Sequence, residues 1–168
     1  GNVSVGALVG EEQPRLVFVI ETEATNGKEI GLDAGILILG DDGKVRSNDD
    51  LIFYNQPTGV GGAVRLVSAE AQIAESSSGT DHDDSFNQRD AVEVDLARIP
   101  DSVSRIVVTA STDPRTDASF GDTSLVSMQV AHAEMPEDPL VVHIVEGLDA
   151  ERALIFGEVY RRDDTWKI

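Results

Sequence analysis

Apolar residues along this chain recur in short runs, and glycine, proline, aspartate and asparagine separate one run from the next. Residues 16–20 read Leu-Val-Phe-Val-Ile and residues 34–39 read Ala-Gly-Ile-Leu-Ile-Leu, both rich in side chains that favour strands. The second run ends at Gly40, Asp41, Asp42, Gly43 and Lys44, and an Asp-Gly pair beside such a run predicts a hairpin. A strand over 50–55 follows, closed by Pro57 and Gly59. Further strands are predicted over 63–67, 92–96, 105–110, 125–131 and 140–145. A last one over 153–160 turns at 161–164 and resumes at 165–168. Val92, Val94 and Leu96 alternate with Glu93 and Asp95, as in a strand with one wet face. Helical periodicity is weak, with one short helix expected over 68–75 and a single turn over 149–153. The pattern predicts an all-β fold, a β-sandwich of two mostly antiparallel sheets with one or two short helices. No internal repeat or interdomain linker interrupts it, which points to one domain over residues 1–168.

Composition sharpens this picture in three ways. Aromatic residues make up only 5% of the chain, so the core has to be built from Val, Ile, Leu and Ala. There is no cysteine, which removes disulfides, thiolate nucleophiles and cysteine-ligated zinc together. No apolar stretch approaches the length of a membrane-spanning helix and no charged-then-apolar leader opens the chain, so an integral membrane protein is not expected and a cytoplasmic location is.

The charge balance changes the picture most. Thirty-one acidic residues stand against 13 basic ones, a net charge of −18. A field of that sign repels phosphate backbones, which argues against nucleic acid, and it attracts cations and basic surfaces. The segment 116–151 contains no Lys or Arg, although eight acids fall inside it. Much of this charge serves solubility.

Several stretches together resemble one family. Leu32-Asp33-Ala34, Asp42-Gly43-Lys44-Val45-Arg46 and Asp50-Leu51-Ile52-Phe53-Tyr54-Asn55 look like the "LDAS…NGKVR…DFVFYN" run of the tellurium-resistance (TerD-like) stress proteins. Ile99-Pro100 with Val103 and Arg105-Ile106-Val107, then Ser119-Phe120-Gly121, are similar to later motifs of that family. So is the closing segment from Ala153 through Phe156-Gly157-Glu158-Val159-Tyr160-Arg161 to Trp166-Lys167-Ile168. The motifs keep the family's order over residues 31 to 168. The resemblance implies a two-sheet sandwich, a bacterial stress or tellurite association, calcium held by loop carboxylates, and no catalytic activity. The chain also departs from the family. The first acid of its "DLDAS" is Gly31, the "GDN" segment falls near Ser68-Ala69-Glu70, and of its acidic loop only Asp90 keeps an acid.

Calcium is a hard cation that takes six to eight oxygens, several of them from carboxylates. Asp81, Asp83 and Asp84 lie within four residues of one another, a spacing that supplies such oxygens. With Asp33, Asp50 and Asp90, which match family acids, they form the candidate metal site. The bland alternative is a solvated acidic loop beside a few turn aspartates, and no EF-hand spacing argues against it. His132 and His143 fall in strand-like runs, while His82 sits beside Asp81 and Asp83, where it would suit a transition metal. No Gly-x-Ser-x-Gly elbow occurs, and Gly59-Val60-Gly61-Gly62 lacks the Lys-Ser or Lys-Thr of a phosphate loop. Asn55 is expected to cap a turn rather than lend its carbonyl oxygen to a cation, and Phe156, Tyr160 and Trp166 read as packing in the terminal hairpin.

Two functional readings follow. One is a non-enzymatic calcium-binding stress-response protein, in which the ion stabilises the sandwich by mass action. The other is a β-sandwich interaction module that has lost the metal and meets a basic or membrane-associated protein partner through an acidic face.

Overall fold

The computed structural model describes residues 3–10, 13–67 and 87–168. The alternating runs become β1 (Arg15–Ala24), β2 (Asp33–Leu39), β3 (Leu51–Ile52), β4 (Thr58–Gly59), β5 (Val64–Val67) and β6 (Asn87–Asp95). β7 (Arg105–Ser111), β8 (Thr123–His132), β9 (Met135–Ile144), β10 (Ala153–Arg162) and β11 (Thr165–Lys167) complete the strands. One sheet runs β4-β5-β6-β1-β8-β9 and the other β11-β10-β7-β2-β3. Every strand pair in both sheets is antiparallel. The sandwich expected from the pattern is the fold observed.

Period-two alternation builds the core. In β1, Leu16, Phe18 and Ile20 point inward; β6 adds Val92 and Val94, and β8 adds Val126, Met128 and Val130. The second sheet answers with Ala34, Ile36 and Ile38 from β2, Ile106, Val108 and Ala110 from β7, and Phe156 and Val159 from β10. Phe120 and Phe156 meet edge to face at 6.4 Å between ring centres. Trp166 is buried and takes the Arg161 guanidinium over its ring at 4.7 Å, while Tyr160 is half-buried, so the terminal hairpin uses two of its three aromatics as packing.

Three expectations need correction, each for a physical reason. Residues 149–153 form no helical turn, because neighbouring elements claim their polar groups. The Asp149 carbonyl accepts from Ser119 Oγ at 2.8 Å, and the carbonyls of Glu151 and Arg152 accept from Phe120 N–H and Thr112 N–H. The described helix is instead α1 (Val5–Val9), ended by Gly10 at φ 73°. The strand expected over 50–55 is only two residues long, since Phe53 and Gln56 exchange backbone hydrogen bonds and turn the chain. β9 is longer than expected and includes Pro136 and Pro139, which an edge strand with one bonded neighbour tolerates. The helix expected over 68–75 lies outside the described residues. Gly121 shows how tightly the loops close: a Cβ there would stand 1.9 Å from the Asp149 carbonyl oxygen.

The two faces of the second sheet should respond differently to truncation. Ile36→Ala, at a fully buried position, is expected to cost about 2–5 kcal/mol of unfolding free energy. Ile155→Ala, at 74% exposure on the outer face, should stay within about 0.5 kcal/mol. Urea denaturation of both variants checks this, and a comparable loss at Ile155 would contradict the assigned facing.

Candidate functional site

β2 enters its sheet at Asp33, and β6 of the opposite sheet passes beside this entry. The contact is made by two β6 side chains, Gln88 and Asp90, which share a face of the strand by period two. Gln88 Oε1 accepts from the backbone N–H of Ile30 at 3.1 Å and of Gly31 at 3.0 Å. Asp90 Oδ2 accepts from Ala34 N–H at 2.8 Å, and its Oδ1 accepts from Ala91 N–H at 3.0 Å. Both Asp33 and Asp90 are half-buried, and this end of the sandwich holds them close enough to repel each other.

Electrostatics make this pair distinctive. Burial pushes the Asp90 carboxyl above its ordinary value, the two backbone donors pull it back, and the charge of Asp33 adds to the rise. Asp33 is also raised, first by burial and then by the charge of Asp113, with Arg115 opposing. Asp113 itself is drawn down to about 2 by a fork of hydrogen bonds from Arg115, whose Nη2 lies 2.7 Å from Oδ2 and whose backbone N–H lies 2.8 Å from Oδ1. Arg115 is therefore tied to Asp113 and offsets the Asp33 charge only in part, while Asp90 is met by the Ala34 and Ala91 backbone amides.

Of the other candidate acids, Asp50 takes a different role. It is 2% exposed, and its oxygens take Arg46 Nε and Nη2 at 2.8 Å each, with the Arg46 backbone N–H at 3.0 Å. This fork holds the Asp50 carboxyl below its ordinary value, and Arg46 reaches on to Ser102 Oγ. Leu51 pairs with Leu37 and Ile52 with Ile36, so Asp50 lies level with Ile38. That is five positions along β2 from Asp33, about 17 Å at the strand rise. The two acids cannot share one ion. Asp81, Asp83, Asp84 and His82 lie outside the described residues. His143 is exposed on β9, and His132 Nδ1 accepts from Glu134 N–H at 3.3 Å.

Gly31 acquires a reason. Its φ is 66°, and a Cβ there would meet the Asp113 Cβ at 2.5 Å. An acid at this position would collide with the Arg115-bound carboxylate segment. Gln88 and Asp113 were not singled out from the sequence, because their partners lie 57 and 82 residues away from them (88 − 31 and 113 − 31) and no local spacing marks such a contact. Among the described residues, no group of three or more His, Asp or Glu side chains is placed to hold a metal. The pair supplies two carboxylates of the six to eight oxygens that calcium takes, which is less than a cage.

Comparison with known proteins follows this geometry. Residues 9–168 match the TerD domain family. The chain is 29% identical over 170 residues to tellurium resistance protein TerD of Serratia marcescens, covering 99% of this chain and 83% of that protein. It is 29% identical over 143 residues to general stress protein 16U of Bacillus subtilis, covering 84% and 69%. The fold superposes on the crystal structure of a homologue of telluride resistance protein (TerD) from Streptomyces coelicolor with a TM-score of 0.65. That match covers 92% of this chain and 85% of that one at 16% identity.

Two measurements test the electrostatic assignments. Arg46→Met strands a buried Asp50 and is expected to cost about 3–5 kcal/mol, most of it recovered in the Arg46→Met/Asp50→Leu double variant. For Asp33 the sign is opposite. A carboxyl raised in the native state contributes stability that is complete below the unfolded value of about 3.9 and is lost as pH rises through the raised value. Asp33→Asn should therefore melt above wild type at pH 7, the advantage vanishing below about pH 4; a thermal scan across pH that shows no such convergence refutes it.

Proposed function

Because the chain belongs to the TerD domain family, we propose that it is a non-enzymatic stress-response domain, cytoplasmic, that draws calcium to the Asp33–Asp90 pair. One observation carries this reading: Asp90 of one sheet holds the Ala34 N–H of the other, which brings two partly desolvated carboxylates, Asp33 and Asp90, to the same end of the sandwich, where Arg115 offsets the charge of Asp33 only in part. A divalent ion supplies the missing counter-charge, and each oxygen of Asp90 keeps a second lone pair for it. Water and loop oxygens have to complete the shell. Binding couples to folding, because an ion held by the native state alone stabilises it by mass action. The names of the relatives, tellurium resistance and general stress, fit such a role and specify no reaction. No helix among the described residues is long and apolar enough to cross a membrane.

A second reading keeps the sandwich and the stress role but replaces the ion with a basic protein partner. The observation favouring it is that Asp50 is consumed by Arg46 and that position 31 has to be glycine, so family acids are either occupied or gone. Affinity capture at low salt that recovers no partner would count against it.

Calorimetric titration with calcium and melting curves at millimolar calcium test the first reading. The expectation is a calcium-dependent rise in Tm that Asp33→Asn and Asp90→Asn each reduce at least tenfold in affinity. A triple Asp81/Asp83/Asp84→Asn variant reads the loop's share separately. Superposable wild-type melting curves with and without the ion would remove calcium from the account.

A further inference from the structure

The outer face of the five-stranded sheet carries a groove of about 490 Å³, within the size range of ligand-binding clefts. One wall is Leu51, Phe53 and Tyr54 at the end of β3; the other is Ile155 on β10; Asp33 lies at one end. Leu51, Tyr54 and Ile155 stand 42%, 67% and 74% exposed, so three of the large apolar side chains displayed by the described surface border a single depression. Phe53 and Tyr54 meet edge to face at 5.6 Å, which stiffens that wall.

The floor is shaped by what it lacks. Gly35 contributes no side chain, and a Cβ there would press on Thr109 Oγ1 at 3.0 Å. The Thr109 hydroxyl donates to the Gly35 carbonyl at 2.9 Å, so its hydrogen is already used and the floor presents little polarity. Beneath it lie Ala34, Ile36, Ile52 and Ala110, each 2% exposed or less, which makes the floor part of the rigid core. Beside the groove, the Arg115 fork is spent on Asp113 and offsets the Asp33 charge only in part, so the Asp33 carboxylate is the acid that the lining offers to a cation.

Charge decides the occupant. A second copy of this chain brings a net charge of −18 of its own, and nucleic acid and anionic membranes carry the same sign. A basic partner is steered toward the molecule by the field that repels these others. We propose that this groove receives an extended segment of a partner protein in which a lysine or arginine lies within two residues of a large apolar side chain. The cation meets Asp33, and the apolar group lies over Gly35 between Tyr54 and Ile155. This assignment rests on the interaction-module reading and locates its contact surface; it does not require calcium.

Fluorescence anisotropy with a labelled ten-residue peptide of Lys, Leu and Ser tests it at low ionic strength. Saturable binding is expected, weakened at least tenfold by Ile155→Ser and by Asp33→Asn while melting of the Ile155 variant stays at the wild-type value. Val142→Ser, on exposed β9 of the other sheet, should leave affinity unchanged, and a peptide with Glu in place of Lys should not bind. Binding that Ile155→Ser does not weaken, or that Val142→Ser weakens as much, would overturn the groove while leaving a basic partner elsewhere on the chain in force. Displacement of the peptide by phenylethylammonium at equal affinity would overturn the peptide as occupant. Absence of saturable binding would overturn the groove, and the capture experiment would still judge the broader reading.

Discussion

Three backbone N–H groups, those of Ile30, Gly31 and Ala34, govern this end of the molecule. They belong to the segment that carries the chain into β2, and no strand of their own sheet satisfies them. An amide left without an acceptor in a half-dry crevice costs about 1–3 kcal/mol, so the opposite sheet has to send acceptors across. Gln88 and Asp90 do this from β6, and their side chains reinforce the closure at the end where the chain itself crosses from β1 to β2. The same arrangement creates the electrostatic tension. Anchoring Ala34 places Asp33 next to the anchor, and one of the two acceptors is itself charged. Gln88 could be neutral because it receives two donors on one oxygen; Asp90 binds donors with both oxygens and brings a charge with it.

Much of the scaffold was legible in the chain because a strand announces itself by alternation. Val92, Val94 and Ile36 are buried where the period-two pattern puts them. What escaped was decided between elements. β9 reads as broken at Pro136 and Pro139 until the sheet order shows it at an edge, where a missing donor costs little. Residues 149–153 carry a helix-compatible composition, but Ser119, Phe120 and Thr112 capture the polar groups a turn would have needed.

The acids divide along the same line. Asp50 and Asp33 look equivalent in sequence, each an aspartate in a family-like motif beside an apolar run. Arg46, four residues before Asp50, is near enough to fold back over a tight turn, and that local reach converts one into a structural ion pair. Asp33 has no such neighbour, and the acid it meets comes from 57 residues away (90 − 33). Spacing alone does not separate a paired carboxylate from an unpaired one. The replacement at Gly31 carries the same lesson, since the approach of Asp113 and a left-handed φ explain it and neither is marked in the sequence.

Asp33 stands at the junction of both proposals, since it lines the groove and its charge is also felt by Asp90. One unit of negative charge cannot fully serve two cations. An ion drawn to the pair lowers the field that a lysine or arginine in the groove would feel, and a seated basic segment lowers the pair's hold on the ion. Linkage requires the two effects to be equal in free energy. In a sandwich this rigid no moving part is needed for such coupling, because the shared carboxylate is itself the connection. The acidic surplus of the remaining chain then sets how strongly either cation is drawn in, and salt weakens both attractions together.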